Sequence, residues 1–334
     1  MKKLENFEPA QFLRMDCYRH ALIPVVRHFN KPWEIFLLFP ITHFSYSERI
    51  DCNELGKSKV NNMLADIGIR RVFTPVNRDN FISSVCNEID EGHPVIAFID
   101  SFYNPSFPSI YGKFHSRHCI PIYGYDEERK EFNIVDSDYI EDFTRIHKTI
   151  SFDAAKEAFF SYNEQFEKGT TPFLQVFSLT SAMNSNPYKK YFNWFKQIIL
   201  SEEDPLEKYH TEFKNFSEFF EKSYADESLM KAQITILYGA FNKMLNAKHV
   251  EYTIFGYMFD ENCELQKIID KQIDKFNYVR AIFFKTQRSG RYREASFAKC
   301  SEVIKEIIEI ERAYIDTLKC CLISVGDRGN TDEK

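Results

Sequence analysis

Cys17 lies in the run Gln11-Phe-Leu-Arg-Met-Asp16-Cys17-Tyr18-Arg19-His20 and is a candidate nucleophile. Asp16 is a good helix N-cap, and Ala21, Leu22, Val25 and Val26 supply an apolar face behind it, so the pattern predicts a helix that begins near Cys17. A thiol at a helix N-terminus feels the positive end of the backbone dipole, which lowers its pKa and populates the thiolate. Pro24 falls inside the same helix, removes a backbone donor and predicts a kink. A cysteine by itself is more often a buried, inert thiol. What singles out Cys17 is its company.

That company is Ser116-Arg-His118-Cys119-Ile-Pro-Ile-Tyr-Gly124-Tyr125 and Phe132-Asn-Ile-Val-Asp136. His118 precedes an apolar strand and Asp136 ends the next one. A hairpin through the turn DEERK carries the histidine back beside the carboxylate. Asp136 then accepts from one imidazole nitrogen and leaves the other as a base for a thiol. Asp138 is the alternative for the third role. Gln11, six residues before Cys17, is a candidate oxyanion donor, with the Cys17 backbone N–H as a second. Taken alone, Gln11 reads as an ordinary solvated side chain.

Other readings of the same residues are weaker. His115, His118 and Cys119 lie close together, but the chain has no Cys-x2-Cys pair, and zinc wants about four convergent ligands, so no metal is expected. Cys119 should point away from His118 by strand alternation and reads as core. His20 falls one turn after Cys17 and, with Tyr18, is a candidate for the substrate-facing wall. Arg288, Arg291 and Arg293, in the run KTQRSGRYR, are the densest basic cluster. They read as an inter-helix loop with Gly290 as its turn, or as a surface that steers an acidic partner. No Walker-type or dinucleotide-binding glycine motif is present, so bond formation would need a substrate that arrives activated.

The elements that position these residues divide into two regions. Of the 12 prolines, ten precede residue 184, leaving a breaker-poor second half. There Leu229, Ile234, Leu237, Phe241 and Leu245 mark one amphipathic helix, and Val303, Ile307, Ile310, Tyr314, Leu318 and Cys321 mark another. The first half mixes helices over 17–28, 55–67 and 78–91 with strands at Ile35–Phe39, Pro94–Ile99, Cys119–Tyr125, Glu131–Val135 and Phe173–Leu179. This is an α+β layout. The polar stretch Ser181–Pro187 reads as the linker, giving a catalytic domain over 1–182 and an all-helical domain over 183–334. A net charge of −6 argues against nucleic acid as partner. The absence of a long apolar run and of a signal-like N-terminus predicts a cytoplasmic protein with no membrane partner. The eight cysteines are then expected to be reduced.

Gln-x4-Asp-Cys at 11–17, His-x5-Gly-Tyr-Asp at 118–126 and the strand-terminal Asp136 together resemble the papain-like cysteine enzymes, in particular the bacteriocin-leader peptidase branch. Such a domain followed by a helical region is closer to the butirosin-biosynthesis-type acyltransferases, and is similar to the papain-like enzyme that forms amides in closthioamide assembly. The resemblance implies a papain-like fold, an N-terminal helix packed on an antiparallel sheet, with Cys17, His118, Asp136 and Gln11 as the catalytic set. It also implies an acyl or peptidyl carrier protein as donor, bearing its acyl group on phosphopantetheine, a small amine as acceptor, and no cofactor bound by the chain itself. The helical region would serve as a lid or carrier-docking region. Tyr18 stands where the peptidase branch carries glycine, which narrows the pocket and argues against cleavage after a double glycine. Two further functions fit the same residues: a cysteine peptidase or amidase, and a carrier-binding module without turnover.

Overall fold

The computed structural model describes residues 1–10, 16–37, 42–46, 50–54, 60–137, 145–181, 186–201, 204–259 and 263–328. The chain forms two compact units, Met1–Phe36 with Ser58–Tyr188 and Leu37–Lys57 with Lys189–Lys334. The expected division at 182/183 makes no provision for the segment 37–57, which belongs with the second unit.

The chain opens with β1 (Lys2–Lys3), α1 (Cys17–His28) and a 3-10 turn at Glu34–Leu37, then gives β2 (Thr42–Tyr46) and β3 (Ile50–Glu54) to the second unit. The strand expected at Ile35–Phe39 is therefore a turn over Glu34–Leu37, and 38–41 lie outside the described residues. Prolines 32 and 40 bracket that run and cannot donate to a strand ladder, so pairing begins only beyond them. The first unit continues with α2 (Val60–Asp66), β4 (Ile69–Pro75), α3 (Phe81–Asp90), β5 (Val95–Asp100), β6 (Arg117–Asp126), β7 (Glu131–Ser137), β8 (Arg145–Ser151), α4 (Phe152–Phe166) and β9 (Phe173–Leu179).

Among the described residues these strands make one antiparallel sheet in the order β4-β9-β5-β6-β7-β8, with β1 added to β6. The β6–β7 hairpin closes where the Asp126 carboxylate accepts from the Glu128 and Arg129 amides, both at 3.1 Å, and Lys130 adopts a positive φ of 55°. Gly124 is required for the docking of β1, because a Cβ there would meet the Lys2 carbonyl at 2.5 Å. Phe81, Val85 and Ile89 of α3 and Ala155, Ala158 and Phe159 of α4 pack with Val95, Ala97, Ile99, Ile120, Ile122, Phe132 and Ile134 of the sheet in one core. Burial of that apolar surface is the main force holding the strands that carry the site.

The second unit contains α5 (Pro187–Ile199), α6 (Pro205–Ser223), α7 (Glu227–Phe259), α8 (Glu264–Ser289) and α9 (Glu294–Arg328). It is not all-helical: the β2–β3 ladder packs on α6 and α7. Its core is an aromatic stack of Phe213, Phe216, Phe220, Phe241, Phe276, Phe283 and Phe297. The basic run begins inside α8 rather than in a loop, and Gly290, at φ 64°, is the left-handed residue that ends the helix. Among the described residues no helix is long and apolar enough to cross a membrane.

Candidate active site

Helix α1 starts at Cys17. The Asp16 carboxylate caps it, accepting from the Arg19 amide at 2.9 Å and from its guanidinium at 2.8 Å. The helix runs through Pro24 to His28 without a break, so the expected kink does not divide it. The thiol therefore sits on the first turn, where backbone N–H groups lack intrahelical partners and a negative charge is favoured.

The ring of His118, on β6, donates through Nε2 to the Asp136 Oδ1 of β7 at 2.9 Å. Asp136 is fully buried, and its oxygens also receive the Ser137 amide at 2.7 Å, the Asn104 amide group at 3.0 Å, the Arg145 guanidinium at 3.3 Å and the Ser106 hydroxyl at 3.4 Å. With Nε2 turned to the carboxylate, Nδ1 is the nitrogen left for the Cys17 thiol, to which His118 is hydrogen-bonded. Burial opposes a charge on Asp136, but His118, Arg145 and Asn104 hold its carboxyl well below the usual range. Burial likewise opposes a charged ring at His118, yet the Asp136 charge and hydrogen bond, with those of Cys17, raise it to about 9.

Cys119 also belongs to this group. A hydrogen bond from its thiol is the largest influence on Cys17. Burial pulls the other way, and the His118 hydrogen bond and charge add to the lowering, so that Cys17 comes down from 9.0 to about 5. Cys119 itself is buried and pushed well above the ordinary thiol value, first by burial and then by its bond to Cys17, so it stays a neutral donor. Cys119 is buried as expected of a core residue, and its hydrogen bond to Cys17 adds a role that strand alternation did not suggest. A group that bonds to two successive strand side chains must lie at the flank of the strand, not over one face, and alternation then fails to separate them. Between about pH 5 and about pH 9 the pair is a thiolate facing an imidazolium, and the two titrations belong to the pair.

The other expected residues fall as follows. Gln11 and Asp138 lie outside the described residues. His20 is buried, its ring hydrogen-bonded to the Ala10 backbone, and burial followed by the charges of Arg145 and His118 keeps it neutral. Tyr18 donates to the Gln175 side-chain carbonyl at 2.9 Å, accepts from the Arg71 guanidinium and stacks on Phe98 with centroids 5.9 Å apart. Burial pushes its hydroxyl up to about 12. Arg288, Arg291 and Arg293 are exposed at the α8–α9 junction of the second unit.

Asn104, Ser106 and Arg145 were invisible to motif reasoning, because the first two reach Asp136 from the β5–β6 loop and the third from β8. Asp100 anchors the loop that delivers the first two. It accepts from the Phe102 and Ser116 amides at 3.1 Å, from the Ser161 hydroxyl at 2.8 Å, and bonds the His115 ring. His115 and His118 are thus held by different carboxylates.

The grouping as a whole supplies a half-buried thiolate, a proton-carrying imidazole and a carboxylate that fixes the ring, which is the equipment for nucleophilic attack on an acyl carbon. Residues 35–137 match the family model described as butirosin biosynthesis protein H, N-terminal. The matched stretch contains His118 and Asp136, and Cys17 precedes it. No curated protein matches the chain.

Proposed function

We propose that the protein is a cysteine-dependent acyltransferase that takes an acyl group from a carrier-protein thioester and passes it to an amine in antibiotic-type biosynthesis. The observation that carries this reading is the buried His118 ring fixed by Asp136 at 2.9 Å, paired with a Cys17 thiol at the start of α1 whose pKa is lowered to about 5. The likeness to the butirosin biosynthesis protein supports the choice of acyl transfer among the reactions such a thiolate performs.

The steps balance without an external energy source. The Cys17 thiolate adds to the thioester carbonyl, and a new carbon–sulfur bond forms. The tetrahedral oxyanion collapses, the bond to the donor sulfur breaks, and the phosphopantetheine thiol leaves with the His118 proton. An amine then attacks the Cys17 acyl-enzyme, His118 receives the amine proton, and the amide departs as the Cys17 thiolate is restored. The oxyanion is stabilised by the N–H groups at the start of α1 and, in this proposal, by Gln11. For transfer to outrun hydrolysis the amine must be held in place while water is excluded. The papain-like fold is part of the same proposal. So is steering of an acidic carrier by Arg288, Arg291 and Arg293.

Intact-protein mass spectrometry tests the reading. Incubation with acylated carrier proteins is expected to add one acyl mass to the wild type and none to Cys17→Ala, and a suitable amine should then discharge the adduct as an amide. An adduct that yields only free acid, whatever amine is supplied, would replace transfer by hydrolysis. A chain that forms no adduct would leave the carrier-binding module.

A further inference from the structure

A cavity of about 280 Å³ opens between α4 and the sheet, lined by Phe98, Phe159, Tyr162, Phe173, Asn163, Glu167, Thr170 and Gln175. Two of its lining residues, Phe98 and Gln175, touch the residue next to the thiol. Tyr18, the residue after Cys17, stacks on Phe98 and bonds Gln175. Phe98 is paired across the ladder with Cys119, which donates to Cys17, and its ring centroid is 5.5 Å from that of Tyr162.

The charged and most of the polar groups around the cavity are already engaged. Asn163 donates to the Thr170 carbonyl at 2.9 Å, and the Thr170 hydroxyl bonds the Glu167 carbonyl at 2.7 Å. Glu167 pairs with Arg117 at 3.3 Å, and Gln175 accepts from Tyr18 and Arg71. What faces the space is therefore largely the ring surface of Phe98, Phe159, Tyr162 and Phe173. A charged guest would have to give up its hydration there without an uncommitted partner of opposite sign. An apolar guest gains by leaving water, at about 0.8 kcal/mol per buried CH₂.

We propose that this cavity receives the acyl group during transfer, and that the group it selects is uncharged and apolar. The proposal rests on the reading of Cys17 as the acyl acceptor and deepens it by naming the substrate class. The placement also assigns a role to Tyr18: it forms the wall between the thiol and the pocket, tied down by Arg71 and Gln175, so that an acyl carbon on Cys17 points its chain past the Phe98 ring.

The test compares N-acetylcysteamine thioesters of similar length and different polarity: hexanoyl, 5-aminopentanoyl and glutaryl, with acetyl as the short reference. The rate of adduct formation on Cys17 is read by intact mass. Hexanoyl is expected to react roughly tenfold or more faster than either charged analogue, the discrimination a few methylenes in an apolar pocket supply. Asn163→Trp, which projects a ring into the cavity from α4, should collapse the hexanoyl-to-acetyl ratio toward one, with thermal unfolding showing that the variant is folded. Equal rates for the three chains, a preference for a charged chain, or an unchanged ratio in Asn163→Trp would overturn the assignment. If no thioester labels Cys17, the acyl-enzyme reading fails on its own. The pocket is then judged by calorimetry with the unreactive N-hexanoyl amide analogue: binding that Asn163→Trp abolishes upholds an apolar site, and no binding removes it.

Discussion

The first unit builds two aspartate–histidine pairs within a few residues of each other, and they serve different ends. Asp100 and His115 join the two ends of the β5–β6 connection, and Asp136 and His118 join β6 to β7. Both carboxylates are fully buried and richly supplied with donors. The difference lies at the far side of the imidazole. The His115 ring is 41% exposed and stacks on Phe102, so its pair ends at a phenyl face and solvent. The His118 ring is buried against a thiol at the start of α1. A carboxylate and an imidazole thus make an anchor when the ring faces water. They make a base when the ring is enclosed with a nucleophile that its proton can stabilise.

The largest consequence of that contrast is in reactivity. Asp136→Asn removes the main support for the His118 charge, so the ring becomes neutral near pH 7 and the thiol loses its partner. With the His118 charge gone but the Cys119 hydrogen bond still in place, the thiolate fraction at pH 7 falls without reaching that of an ordinary cysteine, so alkylation of Cys17 by iodoacetamide should slow by roughly tenfold, short of the ~10²-fold of an unperturbed thiol. Acyl transfer, which needs the proton as well, should slow by about 10³-fold or more. Asp100→Asn should leave alkylation within a few-fold of the wild type. Equal losses in the two variants would mean that Asp136 is an anchor like Asp100.

The pH profile sharpens the same comparison. Cys17 must be ionised, so alkylation should rise through about pH 5 and level off. Transfer also needs protonated His118, so its rate should fall again above about pH 9. In Asp136→Asn the alkaline limb should move to lower pH, because the charge that raises His118 is gone. The stability link has a defined sign. The folded pKa of His118 lies above its unfolded value of 6.5, so its contribution is full below pH 6.5 and is lost as pH rises through about 9. Cys17, whose folded pKa is lowered from 9.0 to about 5, acts with the opposite sign over the same interval, so the melting temperature should change little there in the wild type and fall with rising pH in Cys17→Ala, where the His118 contribution stands alone.

Asp100→Ala should act on the fold instead of the chemistry. It leaves Ser161 and two backbone amides without their acceptor, which should cost about 1–3 kcal/mol in denaturant unfolding. A melting curve that does not move would show that the connection holds its shape without the pair.

How much of this was legible depended on whether the information was local. Asp16 and the apolar positions behind it specified the start of α1, and the DEERK turn specified the β6–β7 hairpin, because caps and turns are written in a few adjacent residues. Strand β4 was missed. Its sequence, IRRVFTP, is charged and half-exposed, and its ladder partner β9 lies far along the chain. Strand β8, RIHKTIS, is mostly solvent-facing and gives no core signal. The transfer of 37–57 to the second unit is a tertiary choice, made by the packing of β2 and β3 on α6 and α7. At the site the thiol, the ring and the carboxylate could be read from type and order. The Asn104, Ser106 and Arg145 bonds could not, since they depend on where the β5–β6 loop and β8 are folded back.

Cys119 was read as core and is buried, but its bond to the thiol is non-local, and at neutral pH it gives the smallest and most selective effect. A hydrogen bond to a charged group contributes about 1.5–3 kcal/mol, or roughly one to two pKa units. Removing the donor in Cys119→Ala should therefore move the acid limb of alkylation up from about 5 by on the order of one unit. At pH 7.5 the thiol remains ionised and the rate should scarcely change. Near pH 5.5 it should fall several-fold. Cys119→Ser replaces the S–H by an O–H donor of similar size and should return the limb toward the wild-type position. A purely packing role would predict the opposite order, because alanine is accommodated in an apolar site more readily than a hydroxyl. The sequence Ala-shifted, Ser-restored therefore identifies Cys119 as a donor to the thiolate. Among the described residues the Asp100–His115 pair contains no counterpart to this, since Ser161 there donates to the carboxylate and not to a thiolate.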